Sequence, residues 1–230
     1  MVPLSIIVPV LNEAGLIAES LDRLGTLRAR GAEVIVVDGG STDGTPELAR
    51  SRCDRLIAAS AGRACQMNAG AQASGGDILL FLHADCILPA DAHRLIADGL
   101  RASARCWGRF DITIVGAHPM LPVVAWFMNQ RSRLTGIATG DQGIFVRADV
   151  FHACGGFPQV PLMEDIRMSK LLKAFSPPLC LGQRITASGR RWEQRGTWRT
   201  IILMWRLRLA HYLGADPVEL SGLYERPRRT

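Results

Sequence analysis

Apolar runs of strand length alternate with helically spaced apolar residues through the first hundred positions of the chain. Leu4–Val10 (LSIIVPV) is a short continuous apolar run, and Glu33–Asp38 (EVIVVD) and residues 77–83 (DILLFLH) repeat the pattern. Runs of this length bounded by turn residues read as strands buried on both faces. Between the first two, residues 14–24 place Leu16, Ile17, Leu21 and Leu24 on one helical face. Further helices are predicted from about Pro46, over Arg63–Ala73 and over residues 89–100, and a short strand over residues 55–59. Four strand–helix units in this span predict an α/β fold, with a parallel sheet flanked by helices on both faces. After residue 100 the rhythm changes. Trp107–Val115 alternates like a half-exposed strand, residues 120–128 are helix-like, 143–146 form a short strand, and helices are predicted over 148–154, 164–175 and 197–213. The second half reads as an elaboration of the same domain.

Composition bounds the class. At 230 residues, and about 150 per domain, one large domain with an appendage is expected. The 23 Gly and 12 Pro are ordinary for a globular protein and exclude collagen, disorder and a disulfide-built miniprotein. No apolar stretch approaches the ~18 residues of a spanning helix. Met1 leads straight into strand-like sequence, without a basic n-region or a cleavage site, so a cytoplasmic location is expected. The six cysteines never form CxxC and read as buried free thiols.

Charge is uneven. Residues 1–183 hold 17 basic and 17 acidic residues, whereas residues 184–230 hold 10 Arg against Glu193, Asp216, Glu219 and Glu225, which accounts for the whole net charge of +6. A neutral body with a basic C-terminal region suggests an anionic ligand or surface, or simply a solvated arginine-rich face. No zinc finger, basic coil or RNP-like run supports nucleic acid as a partner.

Parallel sheets bind ligands at the carboxyl ends of their strands. The loops there are residues 9–13, 38–45, 60–63 and 83–85. Asp38 closes a strand and precedes Gly39, Gly40 and Gly44, so a carboxylate meets a loop that lets a ligand approach the backbone; a plain βα turn is the ordinary alternative. In His83-Ala84-Asp85 the two polar side chains point the same way on an extended chain. They can hold a divalent cation bridging a diphosphate, Mn²⁺ as readily as Mg²⁺, or a helix cap beside a packed histidine. Glu164-Asp165 opens a predicted helix and offers a general base, or an acid pair complementing the helix dipole. Asp141 and Gln142 add polar groups in a turn. Arg63 can reach a diphosphate with Asn68 supporting that loop, and Arg190, Arg191 and Arg195 can close over an anion with Trp192 as a stacking surface. The absence of GxSxG, GxGxxG and GxxxxGK[ST] sets aside esterase, dinucleotide and P-loop chemistry.

Taken together, SIIVPVLNEAGLIAESLDRL, EVIVVDGGSTDGT, the HAD before Pro89, and GGF followed by MED resemble the family-two inverting glycosyltransferases of the GT-A fold, over about residues 3–175. The resemblance implies a Rossmann-like, mixed but mostly parallel central sheet flanked by helices, with a C-terminal helical elaboration. It divides one domain (1–230) into a nucleotide-binding half (1–100), an acceptor and catalytic half (101–185) and a basic helical extension (186–230). It implies that Pro9, Asn12 and Glu13 line the nucleotide pocket, that Asp38 and Gly40 contact the nucleotide, that Arg63 lies near the diphosphate, and that Asp85 ligates a divalent cation, Mn²⁺ or Mg²⁺. Of Glu164 and Asp165 one is the base, with Asp165 favoured. Asp141, Gln142 and Trp192 fall on the acceptor side. One departure stands out: His83 occupies the place of the family's first DxD aspartate, which bears on the choice of metal and nucleotide. GRACQMNAGA, LHAD, GDQGIFVR and RRWEQRG also resemble a narrower group of small bacterial, radical-SAM-associated glycosyltransferases of the arsenosugar-biosynthesis type.

These readings predict transfer of a sugar from a nucleotide-diphospho-sugar, UDP by default, to the hydroxyl of a small metabolite or lipid carrier. The rivals are a sugar-phosphate nucleotidyltransferase and a non-catalytic nucleotide-binding protein. The first strand of a nucleotidyltransferase is usually followed by a Gly-rich loop with Arg and Lys, whereas here PVLNEAG has no basic residue until Arg23. The helix predicted over 197–213, rich in Trp, Leu and Arg, ordinarily packs against its own domain or a second subunit in a homodimer; the other reading lays it on a bilayer.

Overall fold

The computed structural model describes residues 3–216, 220, 222 and 223. The buried apolar runs become adjacent parallel strands. β1 (Leu4–Val10) pairs with β2 (Glu33–Asp38), from Ser5 opposite Glu33 to Val10 opposite Asp38, and on its other side with β4 (Ile78–Phe81). β3 (Arg55–Ala58) extends the sheet beyond β2. The sheet then continues through β7 (Ile144–Arg147), β6 (Trp107–Val115), β8 (Leu179–Ser188) and β5 (Cys86–Ile87), in the order β3-β2-β1-β4-β7-β6-β8-β5. β7 and β5 run antiparallel to their neighbours, so the sheet is mixed.

Strand alternation explains the unbroken apolar runs. Ile6, Val8, Val34 and Val36 face a core shared with Ile17, Leu21 and Leu24 of α1 (Ile17–Ala29). Ile7, Ile35 and Val37 face the opposite core, with Ala64, Met67 and Ala71 of α3 (Arg63–Ala73) and the ring cluster Phe81, Phe151 and Phe157. Each face buries its own set, so both residue parities must be apolar. At Gly70 an added Cβ would come 2.4 Å from Ile7 Cγ2, so α3 lies flat on β1 and brings its N-terminus to the strand ends.

Four elements differ from the sequence expectation. β8 and β5 have no predicted counterpart. In β8, Leu181 pairs with Phe110 and Arg184 with Asp111, so Gly182 and Gln183 bulge out and break the alternation that marks a strand. α5 (Leu121–Thr135) runs well past residue 128. Its polar Asn129 is buried and exchanges hydrogen bonds with the Ile112 backbone of β6, 2.8 Å to N and 3.0 Å to O, so a polar residue occupies a core-facing turn. The segment around Trp192, given no element of its own by the sequence pattern, is a helix, α8 (Arg190–Arg195), anchored where Glu193 accepts a hydrogen bond from Ala117 N. The last helix is α9 (Thr197–Tyr212), as expected to within a residue. α2 (Thr45–Arg50), α4 (Ala92–Ala102), α6 (Ala148–Ala153) and α7 (Glu164–Leu172) complete the fold.

Candidate active site

The loops after β1 and β2 are stitched into one unit. Asn12, at the left-handed φ of 53°, donates its backbone N–H to Ser41 Oγ (2.8 Å), and its Oδ1 accepts from Thr42 N (2.9 Å). Glu13 N donates to Thr45 Oγ1 (2.8 Å) and Ala14 N to Asp43 Oδ2 (3.0 Å). The Thr45 hydroxyl, first, and then the Ala14 amide hold the Asp43 carboxyl below the usual carboxylate range. Asp38 is buried and turns back on its own loop, Oδ2 accepting from Gly40 N and Ser41 N at 3.0 Å each. Gly40 carries the positive φ of 94° that this turn needs. Gln66 fastens the base of the unit: its Nε2 donates to Val10 O and Val37 O, both at 2.8 Å, where β1 and β2 end. Pro9, Asn12, Glu13, Asp38 and Gly40 therefore share one rim. Arg190 reaches it from α8, 3.6 Å from Glu13 Oε2. The Arg191 side chain lies outside the described residues.

A second group forms beyond β4. His83 Nδ1 meets Asp141 Oδ1 at 2.9 Å, and Gly140 N donates to Asp165 Oδ2 at 3.1 Å. The turn over Gly140–Gln142 thus joins the loop after β4 to the start of α7. Asp165 Oδ1 also accepts from Ile166 N (2.7 Å), so backbone N–H groups fix both carboxylate oxygens. Met163, just before the helix, is buried at a left-handed φ of 66°, a conformation that costs a non-glycine residue free energy. Burial pushes the Glu164 carboxyl up, reinforced by the neighbouring Asp165 charge and opposed by Arg63 and His83. Burial pushes Asp165 up as well; the Gly140 and Ile166 amides and Arg63 oppose it, and Asp141 adds to it. Arg63, exposed at the first turn of α3, is thus the cation facing both carboxyls.

Asp85 and Asp141 line one small, open pocket with Ile114, Ala187, Ser188 and Trp192. Buried Ala84 fixes the strand exit between His83 and Asp85. Trp192 also packs on the core, which fits a fixed aromatic wall.

Two assignments, Gln142 and Asn68, are corrected by position, and a third residue is constrained. His83 is held in one orientation: Nδ1 meets Asp141, and the ring lies so close to Gly140 that an added Cβ there would come 2.5 Å from Nε2. Gln142 does not line the acceptor side; it is fully buried, with Oε1 accepting from Thr139 N (3.1 Å). Asn68 does not face the strand-end loops. Its amide pairs with both backbone atoms of Phe157, at 2.8 Å each, and so holds the Gly-Gly-Phe loop ahead of α7. Sequence reasoning missed Gln66, although a Gln on the apolar side of α3, two residues from Asn68, was a usable signal.

For a divalent cation, the donors at hand are the Asp85 carboxylate and, across the same pocket, Asp141. The Cys86 thiol, 3.8 Å from Asp85 Oδ1 and from Asp141 O, is pushed well up by burial and stays protonated. Among the described residues no group of three or more His, Cys, Asp and Glu is placed to hold an ion. This set fits an ion shared with substrate oxygens, the habit of Mg²⁺ on one or two carboxylates.

A mixed sheet with its polar loops gathered at the strand ends, entered through an acidic loop after β4, defines a protein of the GT-A fold. The chain belongs to glycosyl transferase family 2, whose family model matches residues 5–154. Glycosyltransferase AglE of Haloferax volcanii is 40% identical over 91 residues, 36% of this chain and 30% of AglE. The crystal structure of S. aureus TarS 1–349 in complex with UDP superposes with a TM-score of 0.65 at 18% identity, covering 81% of this chain and 60% of that one. Mannosyltransferase PcManGT from Pyrobaculum calidifontis, in complex with GDP-Man and Mn²⁺, gives 0.62 at 24% identity, covering 91% and 61%. The chain therefore spans about three-fifths of these structures and under a third of AglE.

Proposed function

We propose that the chain transfers a glycosyl group, with inversion, from a nucleoside-diphosphate sugar to a hydroxyl acceptor. The observation that carries this reading is the joining of three strand-end elements by His83–Asp141 and Gly140–Asp165, which puts a held carboxylate next to an acidic pocket. Family membership favours it over the nucleotidyltransferase reading. In it, the rim of Asn12, Glu13, Asp38 and Gly40 takes the nucleoside. Asp165 accepts the proton of the acceptor hydroxyl as that oxygen bonds to the anomeric carbon, and the bond from that carbon to the diphosphate oxygen breaks on the opposite side. The nucleoside diphosphate leaves with the bonding pair, and Arg63 and Arg190 face the charge it gains. Asp85 would hold a divalent cation there, which supplies charge neutralisation of the diphosphate. Holding the reactants in line provides most of the acceleration, and a positioned base about 10²–10⁴-fold.

The wall formed by Trp192 and Ile114 supports an acceptor with an apolar or ring-shaped face. The narrower resemblance makes a small metabolite of the arsenosugar type, with cytoplasmic action on a UDP-sugar, the first acceptor system to assay.

Calorimetric titration with UDP, GDP, ADP and CMP, each with and without Mn²⁺, tests the donor side. Binding of one nucleoside diphosphate that strengthens with Mn²⁺ and loses that dependence in Asp85→Ala is the expected result. Absence of binding by all four would overturn the reading.

A further inference from the structure

α9 is apolar on two opposite faces. Leu203, Met204, Leu207 and Ala210 pack inward with Met163, Ile166 and Leu220. The outer face carries Trp198, Ile202, Trp205 and Leu209, spaced by four, three and four residues and followed by Leu213, all between 58 and 75% exposed. A helix apolar all round is ordinarily covered on every side, and a contiguous exposed apolar stripe of this kind marks a contact surface. Arg199 and Arg206 are exposed on the same side. α5 adds a second exposed group: Trp126 and Phe127, packed edge to face with ring centroids 4.9 Å apart, beside Val123. α5 and α8 meet at one corner, where Ala117 N donates to Glu193 and Leu121 fills the space beside Gly116 and Gly189. Neither α5 nor α9 contains an acidic residue.

We infer that the outer face of α9, with the aromatic pair of α5, docks this chain on an anionic lipid surface. Charge decides between occupants. A second copy meeting this face through a two-fold axis would gather the Arg199 and Arg206 side chains of both helices along one seam, with no carboxylate on either helix to pair them. An anionic headgroup layer accepts those arginines, and Trp and Leu enter the boundary between headgroups and acyl chains. No helix among the described residues is long and apolar enough to cross a membrane, so α9 lies on the surface. The stripe begins at Trp198, six residues after the pocket-lining Trp192, so docking holds the Asp85–Asp141 pocket close to the bilayer.

The test is co-sedimentation of the full chain with vesicles of pure phosphatidylcholine and vesicles containing about one-third phosphatidylglycerol, at low and high salt. Binding to the anionic vesicles that weakens with salt is expected. Trp198→Ser combined with Trp205→Ser should lower partitioning about tenfold or more, and Arg199→Gln with Arg206→Gln should abolish the preference for anionic lipid. These side chains are exposed, and an unchanged circular dichroism spectrum confirms that the variants fold. Three results would overturn the inference: no vesicle binding at low salt, equal binding by the double Trp variant, or a dimer in sedimentation equilibrium that Trp205→Ser dissociates. The inference stands apart from the transfer reading, because a chain that binds vesicles but no nucleotide would remove only the latter.

Discussion

Gln66→Leu removes one amide and little volume, and so isolates what the Gln66 hydrogen bonds contribute. Gln66 is 3% exposed and donates to Val10 O and Val37 O, at the ends of the two strands that launch the nucleotide rim. Val10 O keeps a second partner, Gly39 N at 2.9 Å, so its loss falls at the low end of the penalty for a buried unsatisfied group. At roughly 1–3 kcal/mol per orphaned group, the total is about 2–3 kcal/mol. For a chain of this size each kcal/mol moves Tm by about 2–4 °C, so a fall of roughly 4–12 °C is expected. Urea denaturation should show a lower midpoint with an unchanged slope, and nucleotide affinity should fall as the rim loosens. Gln66→Glu should be worse at neutral pH, since a carboxylate would face two carbonyl oxygens. The pKa of that Glu would be raised in the fold, so stability should return as pH falls and the acid protonates. A loss in Gln66→Leu below ~0.5 kcal/mol would refute the reasoning, because two intact bonds of this burial carry more than that.

Asp165→Asn should lower kcat about 10²–10⁴-fold with donor affinity retained, checked by single-turnover assay and calorimetry. Burial raises both Glu164 and Asp165, so the acidic limb of kcat/KM should fall at a higher pH than an ordinary carboxylate gives, and the limb should vanish in Asp165→Asn. A raised acid stabilises the fold only while protonated; its contribution is lost as pH rises through the folded pKa. Glu164→Gln should therefore be more stable than the parent chain at neutral pH, with the advantage disappearing below the ordinary carboxylate range in pH-dependent melting. Gly140→Ala should force the His83 ring out of place, break its pairing with Asp141 and cost about 1–3 kcal/mol, read by thermal melting alongside activity.

The sequence by itself determined the parallel half of the sheet and its loops. Both parities of β1 and β2 are apolar because a helix covers each face, and that pattern is local and unambiguous. The strand ends then put Asn12, Asp38 and Asp85 in loops on one edge of the sheet, since a parallel sheet gathers successive loops at one edge. What tertiary structure alone decided was which polar groups are spent on the fold. Asn68 and Gln142 carry the same chemistry as ligands, but Phe157 and Thr139 consume it, and those partners lie 89 and 3 residues away. β8 was hidden because its bulge at Gly182 and Gln183 erases the two-residue period, and its pairing with β6 is a long-range bond that no local pattern encodes. The outer stripe of α9 was visible as an apolar pattern, but only packing could show which face the core takes and which remains in water.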